Sequence, residues 1–311
     1  MLRVSVIVPT HDRPRHLQRC VEALLCQRRL PDELIVVHDG PGEIPPQIGQ
    51  LVNACGLRFI HEQRDSPSLT ASRNRGVQVA SGQIIVMVDD DVVLPPDALA
   101  RLVGMYEVDQ AHAVQGIGLG LIEPDTGAPR RRLWESLAFL LGRSCWRPRR
   151  CAARYVRLPA ALRGQLRPAR RFSGSAFSLR GKLARSQQFC EELTGYAYGE
   201  DREFSFRVGQ SAALFLAEGI EARHEVASTG RPDMHAAGRL YVKNSLHIAA
   251  RAVEAGAGTA LLVGYDFAGM ILLHTIWSLL GRKRRALDFA AGMIAELLDQ
   301  ARRVGGNILC G

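Results

Sequence analysis

The chain has 311 residues, a formal charge of +9 and 47% hydrophobic residues, a composition typical of a globular protein. Its length allows one large domain, or a domain with an appendage. The seven cysteines are odd in number and form neither a CxxC pair nor a paired metal spacing, so a reducing compartment is predicted.

The N-terminal segment "MLRVSVIVPTHDRP" contains an apolar run that is far too short for a signal peptide, and charged residues follow it directly. We therefore expect a cytoplasmic protein.

Positive charge is concentrated in one stretch. Between Arg130 and Arg171 there are thirteen arginines, no lysine and a single acid, Glu135. The planar guanidinium of arginine suits phosphate and carboxylate better than the point charge of lysine does, so this stretch is a candidate anion-binding surface. The alternative is a solvated face or a flexible arginine-rich loop.

Short apolar strands alternate with helices in the first third of the chain. Strands are predicted over 4–8, 34–37, 57–60 and 83–88, and a helical period follows Pro14. A second helix lies in "SLTASRNRGVQVASG", with Gly82 just past its end. This alternation predicts an α/β fold with a parallel sheet covered by helices on both faces.

Ligands of such sheets bind beyond the carboxyl ends of the strands. This rule selects residues 10–13, 38–40 and 89–91 as the places where a site should form.

The second half is less regular. A strand is predicted over 113–122, and "GYAYGEDREFSFRV" is typical of a turn that opens a helix with acids in its first turn. The glycines of "GIGLG" (116–120) do not open a helix after an N-terminal strand, so they are not interpreted as a dinucleotide-binding loop.

Three adjacent carboxylates follow the strand "QIIVMV". Because Asp89, Asp90 and Asp91 repel one another and resist burial, a divalent cation bound through oxygen is one explanation. Alternation along a strand would send Asp89 and Asp91 to one side and Asp90 elsewhere. A solvated loop with a helix cap explains the acids equally well at this point.

Four motifs, in this order and spacing, resemble the family 2 glycosyltransferases with the GT-A fold. They are "VSVIVPTHDRPRHLQRCVEALLCQ", "LIVVHDG", "ASRNRGVQVASGQIIVMVDDDVVLPPDAL" and "GEDREFSFRV", and the resemblance covers about residues 2–210. It implies a Rossmann-like, mostly parallel sheet flanked by helices, with a C-terminal helical extension.

The resemblance also implies a domain division. A GT-A domain is expected over 1–225, with a nucleotide-sugar-binding half (1–110) and an acceptor-binding half (111–225) that contains the arginine-rich insert 130–171. Residues 226–311 are expected to form the helical extension.

In that family the acidic strand end binds Mg²⁺ or Mn²⁺ on the diphosphate of a nucleotide-sugar. The resemblance implies that Asp91 binds the metal, that Asp89 lies near the ribose or the metal, and that Asp90 belongs to the nucleotide-sugar site. His224, in "EARHEV", lies downstream where many GT-A enzymes contribute a histidine to the metal or phosphate.

The nucleotide-sugar site is further expected to include residues after the first three strands and on the helix before the aspartates, namely Pro9, Thr10, His11, Asp12, Asp39, Arg73 and Asn74. Asp39 can accept a hydrogen bond from a uracil or thymine N–H, although His38 stands where the family usually has the first aspartate of a pair. His11 can stack on the base, or can be a surface loop histidine. Arg73 can reach the diphosphate or the base.

Inverting transfer needs a base for the acceptor hydroxyl. The resemblance assigns this role to Asp201, with Glu200 as a neighbour that could orient the acceptor. Capping of the helix is the alternative explanation for both acids.

The run from 259 to 280 is almost wholly apolar and is followed by "RKRR". A single span would place these basic residues outside, against the positive-inside tendency, so a helix in the membrane interface on the inner face of the cytoplasmic membrane is preferred. A buried core or dimer helix is the alternative. Trp134 and Trp146, among the arginines, could form a second contact with an anionic surface.

The predicted function is transfer of a single sugar, with inversion, from a UDP- or dTDP-sugar to a saccharide or lipid-linked acceptor in cell-surface polysaccharide or glycolipid synthesis. The QxxRW motif of processive synthases is not visible in the sequence. The alternatives are a nucleotidyltransferase that makes nucleotide-sugars, which would require a glycine-rich phosphate loop, and a non-catalytic protein that binds nucleic acid or membrane. No nucleic-acid partner is expected.

Overall fold

A computed structural model describes residues 1–122, 136–138, 140–141, 148, 150–193, 196–225, 232–252, 257–281 and 284–309. The chain divides into a larger unit, Met1–Pro124 with Arg150–Gly230, and a smaller unit, Asp125–Arg149 with Arg231–Gly311. Trp134 and Trp146 lie outside the described residues, as does part of the arginine-rich stretch. The predicted domain boundary after residue 225 stays a prediction.

The strands of the larger unit are β1 (Val4–His11), β2 (Glu33–Asp39), β3 (Arg58–Arg64), β4 (Ile84–Val88), β5 (Val92–Val93), β6 (Gly116–Ile122), β7 (Leu166–Pro168), β8 (Ala176–Arg180) and β9 (Leu214–His224). Its helices are α1 (Pro14–Leu25), α2 (Gln47–Ala54), α3 (Leu69–Val79), α4 (Ala98–Val108), α5 (Gly181–Ser186) and α6 (Glu200–Val208), with two short 3₁₀ turns at Ala152–Tyr155 and Ala160–Leu162.

Within the described residues, the nine strands form one sheet in the order β3-β2-β1-β4-β8-β6-β9-β5, and β7 pairs with β9. The first four strands in this order are parallel, as predicted. Beyond β4 the sheet is mixed, because β8 runs antiparallel to both of its neighbours while β6 and β9 are parallel to each other. The fold is therefore the expected α/β class, with its all-parallel part confined to the N-terminal half.

Both faces of the parallel strands are covered. Along β1, Val6 and Val8 belong to one apolar core, which also contains Leu17 of α1, whereas Ile7 belongs to a second core with Val77 of α3. Successive side chains of a strand point to opposite faces, so a strand buried on both faces becomes a continuous apolar run. Each fully buried aliphatic side chain contributes roughly 1.5–3 kcal/mol to folding.

Two glycines allow α3 to lie close to the sheet. A β-carbon at Gly76 would lie 2.4 Å from Cγ2 of Ile7, and one at Gly82 would lie 2.4 Å from Oγ of Ser5. Helix α3 ends at Val79 with Ala80 as its C-cap, so Gly82 lies just past its end, as predicted. Gly82 is required for close approach of the backbone to β1.

The helices described in the smaller unit include α7 (Met234–Ala252), α8 (Ala257–Gly281) and α9 (Arg284–Leu309). The buried Asp266 of α8 accepts a hydrogen bond from the hydroxyl of Tyr241 on α7 at 2.7 Å. The ring of His274 stacks on Phe289 of α9 with 4.3 Å between centroids. Among the described residues, Gly258–Leu280 is the one helical segment that is long and apolar enough to cross a bilayer.

Candidate active site

The site is built where β1, β2 and β4 reach their carboxyl ends. After β4 the chain makes a turn, in which the amide of Val92 donates to the carbonyl of Asp89 at 3.1 Å. The alternation expected of an extended strand therefore does not determine the directions of the three aspartates, and the prediction that Asp89 and Asp91 turn to the ligand stays a prediction. The partners of the three carboxylates differ, although Asp90 and Asp91 share Arg13.

Asp90 joins the turn to the end of β1. Its Oδ2 accepts a hydrogen bond from Oγ1 of Thr10 at 2.7 Å, and its Oδ1 accepts one from Nη1 of Arg13 at 3.1 Å. Burial raises the pKa of Asp90 to about 6, against the opposing effects of the Thr10 hydroxyl and the Arg13 guanidinium. Asp90 and Thr10, both predicted to bind the nucleotide-sugar, bind each other in this structure.

Asp91 lies beside His224. The pairing of Val92 with His224 between antiparallel β5 and β9 brings Nε2 of His224 to 3.3 Å from Oδ1 of Asp91. Arg13 lies on the other carboxylate oxygen, with Nη1 at 3.6 Å from Oδ2. Both predicted metal-binding residues are thus in contact, although 133 positions separate them in the sequence.

Arg73 of α3 connects the third aspartate to α6. The side chain is fully buried, and its guanidinium donates from Nη2 to Oδ1 of Asp89 at 3.0 Å and from Nη1 to Oε1 of Glu200 at 2.6 Å. Its Cζ also lies 5.9 and 5.4 Å from the ring centroids of Phe177 and Phe189. An arginine in this position orients two carboxylates at once.

Gly174 leaves the space that this connection needs. A β-carbon at residue 174 would lie 2.4 Å from Oε1 of Glu200 and 3.2 Å from Nη2 of Arg73. The carbonyl of Gly174 also accepts a hydrogen bond from Nη2 of Arg73 at 2.8 Å.

Glu200 and Asp201 are the first two residues of α6, after Gly199 in the left-handed conformation. Oδ2 of Asp201 accepts hydrogen bonds from Nε and Nη2 of Arg171 at 3.2 and 2.9 Å, and the Arg171 side chain is 46% exposed. Burial, followed by the negative charge of Asp201, raises the pKa of Glu200 to about 7, while Arg73 opposes the shift. The two adjacent acids therefore have different partners, Arg73 for Glu200 and Arg171 for Asp201.

Asp39, at the end of β2, is tied to the start of α3. Its Oδ1 accepts from Oγ of Ser72 at 2.6 Å and from Nη1 of Arg64 at 3.1 Å, and its Oδ2 accepts from the amide of Ser68 at 2.9 Å. A carboxylate is favourable at a helix N-terminus, so Asp39 fixes α3 and hence Arg73. Nδ1 of His11 lies 2.8 Å from the carbonyl of Asp39.

Pro9 and Asp12, both predicted to bind the nucleotide-sugar, differ in burial. Pro9 is buried within β1, opposite Val37 of β2. Asp12 follows the strand with φ of +51°, and its side chain is 61% exposed, with Oδ2 at 3.7 Å from Nε2 of His11. Both residues lie at the strand end that the sequence selects, and their proposed contacts to a nucleotide-sugar stay predictions.

Asn74 is buried away from this cluster of contacts. Its Nδ2 donates to the carbonyl of Phe189 at 3.0 Å and to Oε1 of Glu191 at 2.8 Å, and its Oδ1 accepts from the amide of Phe189 at 2.8 Å. Because α3 turns by about 100° per residue, Arg73 and Asn74 point in different directions, and the structure gives Asn74 a role in holding the 189–191 segment.

The structure also brings Arg171 and Gly174 into the site, and neither was predicted as a site residue. Arg13, two residues past the end of β1, belongs to the segment 10–13 that the rule for strand ends selected. Arg171 was one of thirteen arginines in its stretch, and only the fold distinguishes it from the others. Gly174 carries no chemistry of its own, so its role depends on a contact between distant residues.

The site concentrates negative charge. Its five acids, Asp89, Asp90, Asp91, Glu200 and Asp201, contact among the described residues Arg13, Arg73 and Arg171. Clustered carboxylates of this kind favour a divalent cation.

The donor atoms suit such a cation. The Asp91 oxygen and the His224 nitrogen, 3.3 Å apart, are close enough to bind one ion together. Carboxylate oxygen suits Mg²⁺ and Mn²⁺, and imidazole nitrogen suits transition metals. The residues therefore fit a divalent metal at the end of β4.

Comparisons with known proteins agree with this geometry. Residues 5–155 match the family profile "Glycosyl transferase family 2". Over 144 residues the chain is 28% identical to the glucosyl-dolichyl phosphate glucuronosyltransferase of Haloferax volcanii, which covers 45% of this chain and 45% of the relative. The chain thus spans less than half the length of that relative.

Two solved structures share the fold. The S. aureus TarS fragment 1–349 in complex with UDP-GlcNAc has a TM-score of 0.55 at 12% identity, covering 96% of this chain and 92% of that one. The mannosyltransferase PcManGT from Pyrobaculum calidifontis, in complex with GDP-Man and Mn²⁺, has a TM-score of 0.56 at 16% identity, covering 96% and 88%. At these identities the similarity shows the fold alone, which is that of the GT-A glycosyltransferases.

Proposed function

We propose, from the match of residues 5–155 to the profile of glycosyl transferase family 2, that the protein transfers a single sugar from a nucleotide-sugar to a saccharide or lipid-linked acceptor, with inversion. One observation carries the proposal. A carboxylate–imidazole pair at the end of β4 and a pair of acids at the start of α6 are connected through the Asp89–Arg73–Glu200 chain of hydrogen bonds.

The donor is proposed to be a UDP- or dTDP-sugar. Support comes from the acidic edge of the sheet and from the nucleotide-sugars UDP-GlcNAc and GDP-Man in the complexes of the two structural neighbours. Asp39 would accept the base N–H through the lone pair that its three internal hydrogen bonds leave. His11, held against the carbonyl of Asp39, would flank the base.

Asp91 and His224 would bind Mg²⁺ or Mn²⁺, with Asp89 beside them. The Mn²⁺ in the PcManGT complex supports this proposal. When bound, the cation supplies positive charge that stabilises the departing nucleoside diphosphate. The chain itself supplies Arg13 and Arg73, which fix the three carboxylates before any ligand arrives.

The reaction is a single displacement at the anomeric carbon. The acceptor oxygen forms the new bond, the bond to the diphosphate breaks, and the nucleoside diphosphate leaves with the bonding electrons. Asp201 would accept the proton of the acceptor hydroxyl, since its carboxylate is at the start of α6. Glu200, whose pKa is about 7, would orient the acceptor and is itself oriented by Arg73.

We propose a cytoplasmic location, because the nucleotide-sugar donors are cytosolic. With a lipid-linked acceptor, sugar transfer would take place at a membrane surface. The reaction would then belong to cell-surface polysaccharide or glycolipid synthesis.

A thermal-shift screen of nucleoside diphosphates, with and without Mn²⁺, tests the donor and the metal together. Ligand at one hundred times its dissociation constant stabilises the folded state by about 2.7 kcal/mol. We expect UDP or dTDP to raise the Tm only when Mn²⁺ is present. Donors that respond are then tested for transfer to saccharide and lipid-phosphate acceptors.

In the same assay Asp91→Asn should abolish both the Mn²⁺-dependent shift and sugar transfer. Glu218→Gln is the matched control, because Glu218 is an exposed acid whose partner is Arg167, and it should behave as wild type. Undiminished transfer by Asp91→Asn would refute the assignment.

A further inference from the structure

Helix α8 presents an apolar stripe to solvent. Its members recur at intervals of three and four residues and are exposed: Leu261, Tyr265, Ala268, Leu272, Ile276 and Leu279. Leu261 and Leu279, at the two ends, are 75% and 76% exposed. At 1.5 Å per residue the stripe is about 27 Å long. A soluble helix normally exposes a polar face on the side that does not face its core.

Helix α9 carries a second stripe of the same kind, with Leu287, Ala291, Ile294 and Leu298 exposed. The buried faces of the two helices contain the opposite residues, such as Phe267 of α8 and Met293 of α9. The apolar stripes are therefore not the packing faces of these helices. Contiguous exposed apolar surface of this kind marks a site of interaction with a protein or a membrane.

The charge of the smaller unit selects between these partners. By sequence it contains sixteen Lys and Arg against eight Asp and Glu, whereas the larger unit contains 24 against 23. Nearly all of the net positive charge thus belongs to the unit with the apolar stripes. Four basic residues, "RKRR", follow α8 directly, and Arg302 and Arg303 are exposed on α9. Apolar stripes beside excess basic charge are complementary to anionic lipid.

Contacts within the smaller unit favour a helix that lies along the membrane. On α7, Arg239 forms an ion pair with Glu296 of α9 at 2.9 Å and a second one with Asp299. The buried Asp266 ties α8 to α7, and α9 contacts both of the other helices. If α8 crossed the bilayer, these charged neighbours would enter the hydrocarbon with it, at a cost of several kcal/mol.

We propose that the stripes of α8 and α9 form a docking surface for an anionic membrane, in which the two helices lie in the interface plane and the basic residues contact lipid phosphates. The surface binds lipid whether or not the larger unit transfers sugar, so failure of one proposal leaves the other testable.

Vesicle flotation with the full chain tests this proposal. We expect the protein to float with vesicles of three parts phosphatidylcholine to one part phosphatidylglycerol, and to bind pure phosphatidylcholine about tenfold less. Raising the salt concentration should reduce binding to the anionic vesicles. A protein that floats with neither kind of vesicle, or equally with both, would overturn the proposal.

The double variant Leu272→Glu/Ile276→Glu should reduce flotation by about tenfold or more, because it places two acids in the stripe. Leu51→Glu/Val108→Glu makes the same charge change at exposed apolar residues of the larger unit and should float like wild type. Far-UV circular dichroism verifies that both variants are folded. Unchanged flotation of the stripe variant, with helix content retained, contradicts the proposal.

Two further measurements test the alternatives to membrane docking, which are contact with a second copy of the chain and a helix that spans the membrane. Light scattering that shows a dimer which the stripe variant converts to a monomer, without vesicle binding, would assign the surface to a second copy of the chain. Sodium carbonate extraction of cell membranes should release the protein, and its retention in the membrane would indicate a spanning helix instead.

Discussion

Two groups of acids make up the site, and they are stabilised differently. The turn acids, Asp89 to Asp91, have partners on several elements, among them Thr10 of β1, Arg73 of α3 and His224 of β9. The helix acids, Glu200 and Asp201, depend on one arginine each. The buried Arg73 holds Glu200, and the half-exposed Arg171 holds Asp201. The turn acids are thus held from several elements, whereas each helix acid is held by one arginine and the pKa of Glu200 is raised to about 7.

The largest effect is expected from removing Arg73, which contacts both groups of acids. Arg73→Met leaves Asp89 and Glu200 without their buried cation, and breaking a buried ion pair in this way costs about 3–5 kcal/mol. We expect a loss of this size in the free energy of unfolding by urea denaturation. Arg75→Met, two positions later on the same helix, removes an exposed partner of Glu62 and should cost less than about 1 kcal/mol. Similar losses for the two variants would contradict the shared role of Arg73.

The raised pKa of Glu200 gives the next largest effect on the free energy of unfolding. Burial, Asp201 and Asp89 raise the pKa of Glu200 to about 7, with Arg73 opposing, from an ordinary value of 4.5. The folded protein therefore holds this proton more tightly than the unfolded chain does. The resulting stability is fully present below pH 4.5 and is lost as the pH rises through 7, by about 3 kcal/mol at most.

Glu200→Gln should remove that loss, so the variant gains stability relative to wild type between pH 5 and pH 8. Urea denaturation of both proteins across this range measures the difference. Glu203→Gln, on the same helix, is the comparison variant for a buried acid, because Glu203 pairs with Arg207 and lies outside the site. A constant difference between Glu200→Gln and wild type would show that Glu200 does not titrate there.

The smallest effect belongs to Arg171, which is half-exposed. Arg171→Gln should change the free energy of unfolding by less than about 1 kcal/mol, as is usual for exposed pairs. Its effect on transfer should exceed that of Arg167→Gln, whose exposed partner Glu218 lies outside the site. Equal transfer rates for the two variants would mean that Arg171 does not influence Asp201.

The parallel half of the fold was predictable because its signals are local. Continuous apolar runs identified β1, β2 and β4, and the rule for strand ends located the turn acids and Asp39. The position of His224 was less accessible to prediction, since its contact with Asp91 depends on antiparallel pairing of β5 with β9. The partners of the three aspartates were not predictable, because they come from distant segments of the chain.

The partners of the helix acids were also not predictable from the sequence. Their place at the start of α6 follows from the sequence, but their partners do not, because Arg73 and Arg171 come from distant segments. Asn74 was predicted to belong to the nucleotide-sugar site, and its hydrogen bonds to the 189–191 segment were not predictable because that segment is distant in the sequence.

The guanidinium of Arg73 makes the two groups of acids thermodynamically coupled. Positive charge placed beside Asp89 weakens the hold of Asp89 on Arg73, and the arginine is then compensated by Glu200 alone. Coupling between two sites is reciprocal, so a change in the protonation of Glu200 alters the affinity for charge at Asp89 by the same factor. A single side chain thus gives the site a built-in cooperativity between what binds at the sheet edge and what happens at the helix.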